Sequence, residues 1–253
     1  MVSYFAIYAI VKFRLKEFFT EYNYTILSPL IYNFLFIIIF STIDRYYSLS
    51  INNISFIEFL IPGLILIIVA QESFDSSSAS IINSKQIGSF NDFLMAPLSR
   101  IELYISYLIS QIIISIFLSF INFYLLSFFV EFKVLSFFYF IYYVSLVSIF
   151  FSSLGCFVGF ISFNWDSQSS VSNFFVIPIN FLSGTFFSIN NLPENLKFIF
   201  IYNPYYYIVS FFRNTFNLNF EFNIQENFFI ILFVSIMPIF TGFVFYKGYK
   251  VIK

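Results

Sequence analysis

The chain has 253 residues, 60% of them hydrophobic and 10% charged, with a mean hydropathy of +0.88, which lies outside the range of water-soluble domains. At roughly 20 apolar residues per crossing of a ~30 Å hydrocarbon core, this length holds about six or seven spans and leaves no room for a soluble catalytic domain. A net charge of −1, the absence of histidine and a single cysteine, Cys156, exclude global attraction to nucleic acid, disulfides, Cys/His metal sites and Ser-His or Cys-His nucleophiles.

In chain order, the N-terminal segment 1–25 contains an amphipathic helix over 3–22. Lys12, Lys16 and Thr20 follow at four-residue spacing, opposite an apolar stripe of Val11, Leu15, Phe18, Phe19 and Tyr22. Lys12, Arg14, Lys16 and Glu17 interrupt what would otherwise be a signal-peptide core. The helix is expected to lie along the cytoplasmic surface.

Apolar runs predict six spans, at 26–43, 56–74, 103–130, 134–161, 171–189 and 227–246. The second is bordered by Glu58 at its outer end and by Glu72 and Asp75 at its inner end, which read as caps, as interfacial ion pairs, or as a relay to the N-terminal helix. Ser106, Ser110, Ser115, Ser119 and Asn122 recur along the third span, and Ser145, Ser148 and Ser152 along the fourth. Such stripes either line a pathway or let helices pack closely, and packing is the commoner use. Gly155 and Gly159 form a small-xxx-small pair in the fourth. Pro178, Asn180, Ser183, Gly184 and Thr185 interrupt the fifth, which must then face protein or a water-filled cavity.

Placing the N-terminus inside puts eight Lys/Arg residues in cytoplasmic segments and four outside, so both termini are expected in the cytoplasm. The stretch 192–216 adds no seventh span, because Asn203-Pro204 splits it into pieces of about ten residues, each too short to cross. The 44 Phe and 19 Tyr are read as coding bias rather than as an aromatic binding site.

Two segments do not span. The cytoplasmic loop 84–100 sets Phe90, Phe93 and Leu94 at helical spacing, with Gly88 before them, Asn91 and Asp92 on the polar side and Pro97 ending the helix. It reads as an interfacial helix on lipid or as a docking helix for a cytoplasmic partner. The outer segment 190–226 reads as a re-entrant helix pair with Tyr205, Tyr206 and Tyr207 at headgroup depth, either an anchor or an outer gate for an amphiphilic substrate.

These residues carry a resemblance to the ABC-2 type permease family. The motif residues are Pro62-Gly63, Lys85, Gly88, Leu94, Pro97 and Ser99-Arg100, then Ser183-Gly184, Leu192-Pro193, Asn203-Pro204 and Arg213. The chain departs from the pattern at Asn91-Asp92 and Ser188. It is most similar to the nodulation-factor, antibiotic and polysaccharide exporter type. The resemblance implies an all-α, single-domain permease over 1–253 in the inner (cytoplasmic) membrane, with two permease chains, identical or related, and two ATPase chains that bind ATP and Mg. It implies that Lys85, Gly88, Asp92, Phe93, Leu94, Pro97 and Arg100 couple to the ATPase. Ser183, Gly184, Asn203, Pro204 and Arg213 are implied in a gate or pathway, beside Pro62, Gly63 and Glu72 of the second span. The substrate is expected to be amphiphilic or glycan-like.

No glycine of the sequence opens a G-x-x-x-x-G-K-[ST] phosphate loop, so ATP is expected on the partner and no cofactor on this chain. Two other classes compete. A lipid-modifying membrane enzyme would cluster acids or histidines at one depth, where here they are scattered; a membrane anchor for a peripheral complex would not require the interrupted fifth span.

Overall fold

Long apolar helices dominate the computed structural model, which describes residues 4–47, 50–51, 54–95, 98–130, 134–187, 193–216 and 224–247. Helix α1 (Tyr4–Thr20) turns through a π-helical segment, Asn23–Leu27, into α2 (Ser28–Tyr47). A two-residue antiparallel hairpin, β1 (Ser50–Ile51) and β2 (Ile54–Ser55), leads into α3 (Phe56–Ile87). Short α4 (Phe90–Met95) precedes α5 (Arg100–Leu126) and α6 (Phe137–Ile161). A continuous helical run follows, made of α7 (Trp165–Val171), a second π segment (Ser172–Val176) and α8 (Ile177–Phe181). The chain ends with α9 (Glu194–Ile201), α10 (Pro204–Asn214) and α11 (Ile224–Lys247).

Among the described residues, five helices are long and apolar enough to cross a bilayer: Asn23–Tyr46, Phe56–Ile87, Arg100–Leu126, Phe137–Ile161 and Ile230–Lys247. The fifth expected span, 171–189, is displaced. Its helix begins at Trp165 and stops at Phe181, which at 1.5 Å per residue gives about 25 Å, short of a full core. It stops where Gly184 takes up φ 71°, a left-handed conformation that glycine adopts at little cost.

Helix α3 is the hub. Leu60, Ile61, Leu64, Ile65, Leu66 and Val69 are buried together with residues of α6 and α10. Glu72 and Asp75 were expected at the inner end of a span closing at Phe74; the helix instead runs on to Ile87, which leaves both halfway along it. The close approach of α6 requires its glycines. A Cβ at Gly155 would lie 3.2 Å from the Phe74 Cα and collide with its carbonyl oxygen, and one at Gly159 would lie 2.9 Å from the Ser78 oxygen. The small-xxx-small pair thus serves packing within the chain.

The serine stripes do the same. Ser106, Ser110, Ser115, Ser119, Ser148 and Ser152 are fully buried. Ser106 donates to the Glu102 carbonyl at 2.7 Å and Ser110 to that of Tyr107 at 2.8 Å, while Ser115 bridges Ser73 and Ser148 at 3.0 Å each.

Helix α1 packs on α3 and α5 through Ile10, Val11, Arg14 and Phe18, whereas Phe19 and Tyr22 are about half exposed at 48% and 52%. The packed face therefore includes a cation that the apolar-stripe reading had left outside. Tyr205, expected at headgroup depth, is buried beside the Phe151 ring, 5.4 Å away.

Candidate functional site

Three groups of residues sit around α3. The first is a clamp beside its N-terminal half. Arg213, 1% exposed, projects from α10 with its guanidinium 3.7 Å from the centre of the Phe59 ring. Its Nε donates to the Phe59 carbonyl at 3.2 Å, and its Nη2 to the carbonyls of Gly184 at 2.8 Å and Thr185 at 3.2 Å. Asn203 caps α10, with Oδ1 accepting from the Tyr205 N–H at 3.1 Å, and its Nδ2 donates to the Leu182 carbonyl at 2.8 Å and the Ile179 carbonyl at 3.2 Å. Pro204 at the first helical position is suited to that cap, since its missing N–H is one a helix start leaves unused.

The turn after α8 is thereby held from two points on α10. Ser183 adds bonds to the Asn180 carbonyl at 2.6 Å and to Thr185 Oγ1 at 2.7 Å. Thr185 presses on Gly63, where a Cβ would lie 2.7 Å from the threonine Cβ. Pro62-Gly63, Ser183-Gly184, Asn203-Pro204 and Arg213 are thus in one place, although 154 residues separate Phe59 from Arg213.

The second group lines a cavity of about 670 Å³ between α1, α2, α3 and the α7–α8 run, within the range of small-molecule sites. One part carries Glu17, Glu21, Glu72 and Asp75 with Arg14; another carries Leu64, Ile68, Phe36, Phe181 and Phe186. Arg14 pairs with Glu17 at 2.8 Å and reaches α3 at the Ser76 carbonyl and hydroxyl, at 3.1 and 3.0 Å. Glu17 also accepts from Ser80 at 2.9 Å. The contact from α1 to α3 runs through serines rather than through an ion pair to Glu72 or Asp75. Asp75 accepts from Gln71 at 2.8 Å and from Gln168 at 3.1 Å, which ties α7 to α3. The first π-helical segment contributes Tyr24 and Thr25 to the wall; the second lies behind it, where Ser172 accepts from Gln71, a lining residue, at 2.8 Å. π turns recur at functional sites.

The third group is the α3–α4–α5 junction. Gly88 closes α3 at φ 86°, its N–H reaching the Lys85 carbonyl at 3.2 Å. Lys85 donates to the carbonyls of Phe160 and Ser162, so it binds the end of α6. Phe90, expected among the partner anchors, turns inward and is 2% exposed, packed with Leu103, Tyr104 and Phe160. Asp92, Met95 and Arg100 face outward, and Ile87 is 73% exposed. Ser99 and Glu102 form a reciprocal capping box on α5, at 3.2 and 2.7 Å. The side chains of Asn91, Phe93 and Leu94 lie outside the described residues, as do Pro97, Ser188 and Leu192.

Sequence reasoning assigned no site role to Arg14, Gln71 or Gln168, while Thr185 was read only as one of the residues interrupting the fifth span. The signal for Arg14 was its position four residues before Phe18 and after Ile10, on the face that packs; the others share no spacing that marks them. The S-x-x-E run at Ser99 was a readable cap signal.

The ABC-2 type transporter family matches residues 6–217. An inner membrane transport permease of Escherichia coli K12, YadH, is 25% identical over 189 residues, covering 75% of this chain and 74% of its own. The YadH of Shigella flexneri matches to the same extent.

Proposed function

The chain belongs to the ABC-2 type transporter family as a multi-pass membrane transport subunit, and from that premise we propose that it is the permease half of an ATP-driven exporter. A separate ATPase supplies the energy, and an amphiphilic or glycan-like substrate leaves the cytoplasm or inner leaflet outward. Two permease chains join two ATPase chains. Both termini are cytoplasmic, with the run 165–187 making the fifth of six crossings.

The observation that carries the reading is the cavity of about 670 Å³ beside the hub helix, with a polar end and an apolar end, bounded by the same α3 whose last turn leads into α4. Motion delivered at α4 is transmitted along α3 to the cavity and the clamp. In this reading Lys85, Gly88, Asp92, Phe93, Leu94, Pro97 and Arg100 form the coupling surface. Lys85 and Gly88 set the angle between α3 and α4, and Phe93 and Leu94 enter the ATPase. The exposed Ile87 and Met95 extend that surface. Pro62, Gly63, Ser183, Gly184, Asn203, Pro204 and Arg213 act as the outer gate, and Glu72 faces the pathway.

The test is coexpression with the cognate ATPase. Truncating two interface anchors costs on the order of 2 kcal/mol or more, roughly thirtyfold in affinity. Phe93→Ala/Leu94→Ala should insert normally yet lose ATPase co-purification and substrate-stimulated hydrolysis. Full coupling in that variant would move the docking surface to residues 164–168 or to α1.

A further inference from the structure

Four carboxylates line the cavity, from Glu17, Glu21, Glu72 and Asp75, and Arg14 is the one base among its lining residues. Arg14 is already engaged by Glu17 and by Ser76, although its Nε lacks an acceptor. Both oxygens of Asp75 accept side-chain amides. Glu72 is different: it is 9% exposed, and none of the described residues donates a hydrogen bond to its carboxylate. Asn180 also lines the cavity; it is 4% exposed, and its Oδ1 has no partner among the described residues. Two unpartnered acceptors on residues that line one cavity, with four acids to one base around it, call for a donor that is also a cation. Much of the rest of the wall is apolar and aromatic. Leu64, Ile68, Phe36, Phe181 and Phe186 offer an apolar seat, and Tyr24, Tyr32 and Trp165, 80%, 51% and 42% exposed, present aromatic faces that attract cations at the rim.

We propose that this cavity binds an ammonium-bearing amphiphile, with the head group at Glu72 and Asn180 and the hydrocarbon body against the phenylalanine wall. The inference rests on the transport reading and narrows its substrate class. An anionic amphiphile would add charge to a cavity already lined by four acids and one base, and a neutral sugar would leave the phenylalanines without an apolar partner. The ammonium is carried either by a free lipophilic amine or by an amine-bearing lipid head group, which share the same recognition.

Trp165 is the only tryptophan of the sequence and it lines the cavity, so its fluorescence reports occupancy. The full chain in phosphatidylglycerol nanodiscs is titrated with three brominated dodecyl probes, bearing a primary ammonium, a sulfate or a hydroxyl head. The ammonium probe alone should quench Trp165 saturably. Glu72→Gln should weaken it about tenfold or more, the loss expected for one charge-assisted bond, Glu72→Asp should keep the selectivity, and Asn180→Ala should weaken it severalfold. Equal quenching by the three probes overturns the proposal, as does unchanged ammonium binding in both Glu72→Gln and Asn180→Ala. Replacing half the lipid by phosphatidylethanolamine separates the sources: competition identifies a lipid amine as occupant, and its absence a free amine. Hydrolysis by the permease–ATPase complex is measured in parallel. Coupled hydrolysis without head-group selectivity removes the cation inference and leaves the transport reading standing, whereas a chain that engages no ATPase removes the transport reading and this inference with it.

Discussion

The clamp and the cavity share the helix α3 but treat their polar groups in opposite ways. At the clamp, the fork of Arg213 and the amide of Asn203 close on backbone carbonyls of α3, of α8 and of the turn after it, so the buried charge is held by several acceptors at once. At the cavity, Glu72 and Asn180 keep acceptors that nothing described satisfies. A satisfied network fixes one geometry; an unsatisfied one stores an affinity for whatever completes it. The two regions are therefore built differently, one held as a rigid unit and the other left with acceptors to be completed.

The largest effect that would break this contrast is loss of the clamp. Arg213→Met removes a guanidinium that reaches three carbonyls and leaves those oxygens buried. Charge-assisted hydrogen bonds contribute about 1.5–3 kcal/mol each, so a loss of about 3 kcal/mol or more is expected. For a chain of this size that lowers the melting temperature by roughly 6–12 °C, measured on the purified protein in detergent. Arg213→Lys should recover only part of it, because a single ammonium lacks the planar fork. A melting temperature unchanged in both variants would mean that the turn holds itself.

A smaller effect tests the packing beneath the clamp. Gly63→Ala places a methyl group on Thr185, an overpacking that costs about 1–3 kcal/mol. Thr185→Ala combined with it should restore most of the loss, as a double-mutant cycle with positive coupling. Gly242→Ala is the reference: its added methyl would be 3.4 Å from Tyr104, close to ordinary contact, and should cost little.

Much of this architecture was legible in the sequence because a run of about 20 apolar residues has few alternatives in a protein this hydrophobic. Five such runs are long helices. The displaced fifth shows the limit: hydropathy marks which residues avoid water, not where the hydrogen-bond ladder closes, and polar Trp165 to Gln168, read as loop, form the first turn of α7. The clamp residues were legible as motif pairs, yet nothing local in Arg213 announces Phe59. The cavity was hidden by two face assignments. Counting charge placed Arg14 with Lys12 and Lys16 in the solvent, although it lies on the packed side of α1, and spacing placed Phe90 with the partner anchors, although it belongs to the core. Periodicity gives the stripe, and only packing gives its direction.

The cavity should respond with the opposite sign. Glu72→Gln removes a buried carboxylate that lacks donors, so desolvation is relieved without any bond lost. The variant should be as stable as the parent or gain about 1 kcal/mol, with a melting temperature equal or higher by roughly 2–4 °C, while its ammonium binding falls. Stability and function trade against each other in this way where a site is held unfilled. A clear loss of stability would show that Glu72 is a structural partner of its neighbours and would erase the contrast with the clamp.

The smallest effect comes from within the clamp region itself. Tyr205 follows Asn203-Pro204 in α10 and is 3% exposed, yet its hydroxyl has no hydrogen-bond partner among the described residues. Its ring, by contrast, is packed 5.4 Å from that of Phe151, and aromatic contact rather than the oxygen is what the position uses. Tyr205→Phe keeps the ring and deletes the buried hydroxyl, so stability should stay within about 0.5 kcal/mol of the parent or rise slightly. Tyr205→Ala removes the ring and should cost about 3–5 kcal/mol, as large aromatic truncations in cores do. If Tyr205→Phe instead loses 1 kcal/mol or more while the alanine variant loses no further, the hydroxyl belongs to the clamp. The rigid region would then reach one helical turn deeper, toward the core that α10 shares with α6.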